Sequence, residues 1–201
     1  MSILLKKGEK TRQKIIRKAA PVFNRRGFSG TSLSELMEET GLEKGGIYRH
    51  FESKEDLAVA AFDFAWSQIK HIRLEAVDAI PSPLARLHRM VDSFASKPSV
   101  VPGGCALMNT AIDADDGNPL LRARARSAMH EWIEYIENTV RQGIAQGEIT
   151  QKTSATSVAS VMIATLEGSL MITRLTQNQN ALCLAREHLH GMLNGIAAKL
   201  R

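Results

Sequence analysis

A chain of 201 residues, 44% hydrophobic and 23% charged, has the make-up of an ordinary globular protein with room for one small and one larger domain. Two cysteines, Cys105 and Cys183, are too few for a disulfide scaffold, and the longest uncharged apolar run, 153–166, falls short of the ~20 residues that cross a bilayer. The net charge of +5 is gathered at one end: residues 1–54 carry 12 Lys/Arg against 6 Asp/Glu while the rest is nearly balanced, the footprint of a front end that meets a polyanion.

The opening MSILLKKGEK places its apolar residues ahead of its charges, the reverse of an export signal, so a cytoplasmic protein is expected. Residues 1–9 read as a basic arm. A first helix is predicted over 10–26, with Ile15, Ala19, Val22 and Phe23 on its inner face and basic residues on the others. Gly27 ends it, and Pro21 inside it predicts a bend over 17–21, because proline removes a helical hydrogen bond. Ser32 caps the next helix with Glu35 in the capping-box position, Leu33, Leu36 and Met37 share its inner face, and Gly41 stands where a left-handed residue stops a helix. After Leu42 a helix over 44–51 buries Ile47 and Phe51, one turn apart. Two helices joined by so tight a turn make a helix-turn-helix.

What this motif leaves outside suits nucleic acid. Lys44, Gly45, Gly46, Tyr48, Arg49 and His50 fall on the outer sides of the second helix. A glycine inside a helix costs about 1 kcal/mol relative to alanine, so two in a row point to close approach by a foreign backbone or base edge. Thr31 and Ser32 stand at a helix N-terminus, where free N–H groups and the positive end of the dipole favour phosphate. Ser53 caps a further helix, with Asp56 in the box position, and Lys54 is placed for a phosphate. That helix is predicted over 53–79, stopped by Pro81 and Pro83.

At GLEKGGIYRHFESKEDL, residues 41–57, the chain resembles the TetR family of bacterial transcriptional repressors. The family signature is a small-residue turn, Lys-Gly, an apolar residue, Tyr, two variable residues, Phe and Ser-Lys-Glu. The resemblance is specific over 10–61 and loose beyond. It implies an all-α fold, with an N-terminal three-helix helix-turn-helix DNA-binding domain (1–53) and a larger helical effector-binding and dimerisation domain (54–201). Glu43 departs from the pattern, which more often has a small polar residue there; an acid beside the DNA face points away or tunes sequence choice.

Further helices are predicted over 84–97, 105–114, 119–146, 154–177 and 181–200, with a loop at 98–104 and a turn at 115–118. The last two are apolar on more than one side, so they want two partners: their own domain and the same pair from a second subunit, in an isologous homodimer. A mostly apolar effector pocket is assigned to Trp66, Phe94, Cys105, Met108, Asn109, Trp132 and Met162. Cys105 admits two readings: a thiol activated at a helix N-terminus, or a small buried residue filling a gap. The stretch 102–122, PGGCALMNTAIDADDGNPLLR, resembles a branch of the family with some electrophile-responsive members. Asp113, Asp115 and Asp116 lack the glycine and distal glutamate of a cation loop and read as turn and capping chemistry for Pro119. His71 and His88 read as lone histidines, and His188 and His190, two apart, do not share a helix face. No metal, cofactor or catalytic motif is found.

The expected function is therefore a repressor that binds a palindromic operator in double-stranded DNA as a dimer and is released by a small-molecule or electrophile effector, without membrane association. Its recognition helices must sit about 34–36 Å apart to meet successive major grooves, and effector is expected to spoil that spacing by tilting the helix that starts at Ser53. An all-α enzyme and a helical protein-interaction module are the alternatives.

Overall fold

The computed structural model describes residues 7–97 and 99–198. Residues 1–6 of the expected basic arm (1–9) and the end of the last predicted helix lie outside them, while residues 7–9 of that arm already belong to the first helix. Its helices are α1 (Lys7–Gly30), α2 (Leu33–Thr40), α3 (Lys44–Tyr48), α4 (Lys54–Ile69), α5 (Pro83–Ser96), α6 (Ala106–Asp113), α7 (Pro119–Ala145), α8 (Ala155–Thr176) and α9 (Asn180–Ile196). The all-α expectation holds, with one isolated β-bridge, Ile149 to Ala197, among the described residues. The chain divides into two compact units, Met1–Gln68 with Ser99–Ala128 and Ile69–Pro98 with Met129–Arg201.

In the first unit α1 packs on α2 and α6, burying Ile15, Ile16, Ala19 and Ala20. The departure from helical dihedrals falls at Gly27 (φ 73, ψ 173), the residue expected to end the helix. The start of α7 is capped by Asn118, whose Oδ1 accepts from Leu121 N (2.9 Å). The capping role expected of the nearby aspartates therefore belongs to Asn118, and Asp113 is engaged elsewhere.

The helix expected to run from 53 to 79 keeps α geometry only to Ile69. Lys70–Leu74 is a π-helical turn and Glu75–Val77 a 3₁₀ turn. Leu74 and Val77 are both buried, and Tyr135 Oη lies 3.0 Å from the Leu74 carbonyl oxygen near the point where the ladder changes pitch, its one proton shared between that oxygen and the Asp78 carboxylate. Desolvation and the Asp78 carboxylate, which accepts a hydrogen bond from the same hydroxyl, hold the Tyr135 phenol far above its ordinary value.

In the second unit α9 packs on α8 and α5 around Leu87, Val91, Met162, Leu166, Leu189 and Leu193. Ser82 caps α5 by accepting from Ala85 N (3.1 Å), with Pro83 in the first turn. Glu148, between α7 and α8, accepts from Ser82 Oγ (2.7 Å) and Leu84 N (3.1 Å) with its carboxylate, and from Ala198 N (2.8 Å) with its carbonyl. The expectation that no segment is long and apolar enough to span a bilayer is corrected by α8, which by length and composition is long and apolar enough to do so. Counting only an uncharged run missed that Glu167 is tolerated within the apolar stretch. It packs on α9 and buries Val158, Ala159, Met162, Ile163 and Leu166, with 39% of the apolar stretch covered within the chain.

His88 is not alone. Its Nδ1 lies 2.5 Å from His190 Nδ1, the rings stack at 4.8 Å, and His190 Nε2 is 2.9 Å from Asp92 Oδ1. One Nδ1 must donate and the other accept, so the contact is lost if both rings are charged. Burial first, then the charge of His190, lower the His88 pKa, against the opposing pull of Asp92. A histidine with a depressed folded pKa takes up its proton more readily in the unfolded chain. Its stabilising contribution is therefore complete above the ordinary value of about 6.5 and lost as pH falls through the lower folded value. The melting temperature should decline between pH 7.5 and 5.5, and His88→Asn should flatten that decline; an identical decline in the variant would refute the assignment.

Candidate nucleic-acid interface

The helix-turn-helix is built by local chemistry. Ser32 Oγ accepts from Glu35 N (3.2 Å) and Glu35 Oε2 accepts from Ser32 N (2.9 Å), closing the capping box. The backbone and then the side-chain hydrogen bond from Ser32, helped by Arg26, hold the Glu35 carboxyl below its ordinary value. At the other end Gly41 (φ 70, ψ 28) donates to Met37 O (2.9 Å) and turns the chain. Leu36 and Ile47 meet the core at 0% and 1% exposure. The second helix is shorter than expected: α3 stops at Tyr48, Arg49 caps it, and His50 and Phe51 lie beyond.

Lys44, Gly45 and Arg49 are exposed on α3 and its cap, with Tyr48 and His50 half-buried beside them. A side chain at Gly45 would meet nothing within 4 Å, whereas one at Gly46 would touch Leu42. Glu43 precedes α3, exposed and without a side-chain cap bond. Ser53 caps α4 by accepting from Asp56 N (3.0 Å), while the Asp56 carboxylate reaches Glu52 N (3.2 Å).

Two of the named phosphate contacts are engaged inside the protein. Thr31 is 1% exposed and its hydroxyl donates to Gly27 O (2.6 Å). Lys54 Nζ donates to Thr31 O (2.6 Å) and lies 4.5 Å from the centre of the Phe28 ring, a cation–π contact. Nothing in the local pattern of the sequence marks this, because the partners are 23 residues apart.

Of the residues assigned to effector, Trp66, Cys105, Met108 and Asn109 belong to the first unit and Phe94, Trp132 and Met162 to the second. Phe94 and Trp132 come together as a stacked pair (6.0 Å, 19°), with the Arg73 guanidinium 5.4 Å from the Phe94 ring centre. Met162 is fully buried. Cys105 is buried and is the residue before α6. Asn109 spends its amide on the protein, its two N–H hydrogens shared among Asn24 O (3.0 Å), Asn24 Oδ1 (2.9 Å) and Gly103 O (2.9 Å). Asn24 in turn donates to the carbonyls of Val101 (3.3 Å), Pro102 (3.1 Å) and Gly104 (3.1 Å). Asn24 was missed as a key residue, although a polar side chain one turn after Ala20 on the inner stripe of α1 was the available signal. A cavity of about 30 Å³, lined in part by Phe23, Asn24, Phe28, Phe62 and Asn109, has room for water only.

A capped helix pair with a short, basic, glycine-bearing second helix, set in an all-α chain, defines a helix-turn-helix DNA-binding regulator. Residues 15–61 match the model of bacterial regulatory proteins of the tetR family, and residues 83–189 match that of the tetracyclin repressor-like C-terminal domain. The chain belongs to the TetR family of bacterial transcriptional regulators, a non-catalytic, DNA-binding and dimeric class. It is 38% identical to a TetR-family regulator from Cytophaga hutchinsonii, over 98% of this chain and 100% of that one, with a TM-score of 0.92. A TetR regulator from Chloroflexus aurantiacus is 40% identical, over 96% and 98%, with a TM-score of 0.90. The HTH-type transcriptional repressor DhaR of a Mycobacterium species is 24% identical over 173 residues, 85% of this chain and 86% of the relative.

Proposed function

We propose that this regulator is a repressor that holds a palindromic operator as a homodimer and is released by a small molecule bound to its larger domain, 54–201. The carrying observation is the face of α3, where exposed Lys44 and Arg49 flank a glycine whose side-chain position is open to the outside. Lys44, Tyr48, Arg49 and His50 enter the major groove, and the Gly45-Gly46 backbone lets the helix come close. The Ser32 end of α2 and the remaining donors of Lys54 face phosphates. Thr31 contributes from within, by seating Lys54.

The subunit partner is a second copy meeting α8 and α9. Met171, Ile172 and Leu175 on α8 and Leu184 on α9 are 45–78% exposed, large apolar side chains that a twofold copy would cover. The stacked Phe94 and Trp132 are the effector wall this reading favours, and the effector must bind the two DNA-affinity states unequally to act at all. Repression agrees with the role of the repressor DhaR, and a regulator that acts on bacterial DNA would work in the cytoplasm.

Fluorescence anisotropy with duplex fragments from around the protein's own gene tests the reading. Binding should fall steeply with salt, and Tyr48→Ala should weaken it on the order of tenfold or more. A protein that runs as single subunits and ignores every duplex at low ionic strength would sink it.

A further inference from the structure

The rungs that join α6 to α1 suggest a role for a residue far from the reading helix. We propose that Asp113 is a positioning residue for DNA recognition, and that with Asn109 it clamps α6 to α1 at two points, so that α6 sets the junction on which α2 and α3 are mounted. The proposal rests on α3 being the DNA-reading helix.

One rung is at the junction itself. Asp113 Oδ2 accepts from Phe28 N at 2.7 Å. Phe28 is the first residue after the break at Gly27, so its N–H has left the α1 ladder and needs an acceptor. A Cβ on Gly27 would lie 2.5 Å from Asp113 Oδ1, so the carboxylate occupies the space any other residue would fill. From there the bonds run on: Thr31 Oγ1 to Gly27 O (2.6 Å), then Lys54 Nζ to Thr31 O (2.6 Å). That relay joins the C-terminus of α6 to the residue before the α2 cap and to the first residue of α4.

The other rung is Asn109 to Asn24. Asn109 and Asp113 are four apart on α6, and their partners, Asn24 and Phe28, stand on either side of the break at Gly27, so α6 is tied to α1 both before and after that break. Gly103 (φ 122) presses against the same site, since a Cβ there would come within 2.9 Å of the Asn24 backbone and amide. Neither helix can slide or roll on the other without breaking a rung. A charge-assisted bond such as Asp113 to Phe28 is about twice as strong as a neutral one, so the junction end is the firmer.

The test uses a duplex oligonucleotide selected in vitro by the wild-type protein. Asp113→Ala and Asp113→Asn remove the same charge, but the asparagine oxygen can still accept from Phe28 N–H. Asp113→Ala should weaken binding on the order of tenfold with the salt slope unchanged, and Asp113→Asn should recover most of the loss. By reciprocity, DNA should slow amide exchange in the wild type over 101–113 as well as in α2 and α3, and Asn109→Ala should lose that protection over 101–109 while keeping it beside Asp113. An Asp113→Ala variant that binds as tightly as wild type overturns the clamp, as does protection confined to 31–54. If Asp113→Ala does not fold, the wild-type exchange pattern decides. A wild type that binds no duplex overturns instead the reading on which the clamp rests.

Discussion

Gly27→Ala is expected to cost roughly 2–4 kcal/mol and lower the melting temperature by about 5–15 °C. Two penalties combine. A φ of 73 with ψ 173 is a region that only glycine occupies without strain, at a cost of about 1–3 kcal/mol for other residues. The new methyl would also stand 2.5 Å from Asp113 Oδ1, and relieving that contact gives up the bond to Phe28 N. Thermal denaturation followed by circular dichroism measures the sum, and a variant that melts with the wild type would show that the break in α1 is not held as described.

Phe51→Ala should be the more damaging change for DNA binding, at about 3–5 kcal/mol for a buried aromatic. Phe51 is 2% exposed and the Arg12 guanidinium lies 4.8 Å from its ring centre. It anchors the end of α3, a helix of five residues. So short a helix cannot hold its shape unaided, because nucleation costs more than one turn returns. Without Phe51 the reading helix should fray, and duplex binding should vanish. Trp132, in the second unit, should keep its wild-type emission. Retention of tight binding by this variant would mean that α3 is held by something other than its apolar anchors.

The parts of the fold that could be read in advance are those made by short-range bonds. Ser32 with Glu35, Gly41, Ser53, Pro83 and Pro119 each act within a few residues, so their spacing is visible in a linear string. The parts that could not be read are made by pairs far apart. His88 and His190 stand 102 residues apart, and nothing in either neighbourhood announces the other. Asp113 sat among acids that suited a turn, yet its acceptor oxygen went to Phe28, 85 residues away. Lys54 was legible as a cation near a helix start, but its preference for the Thr31 carbonyl depends on how α1 ends. Helix pitch was equally hidden: the apolar pattern allowed a continuous helix past Ile69, and only tertiary packing makes it widen at Lys70–Leu74.

Glu148 joins what look like independent pieces. Its carboxylate holds the Ser82–Leu84 start of α5, its carbonyl holds Ala198, and Thr150 beside it donates to Ile196 O (2.9 Å). The start of α5 and the segment after α9 thus both fasten to the turn between α7 and α8, so fraying at either loosens the other. Native-state exchange at Leu84, Thr150 and Ala198 should then follow one common opening event, a small foldon hinged on a single glutamate.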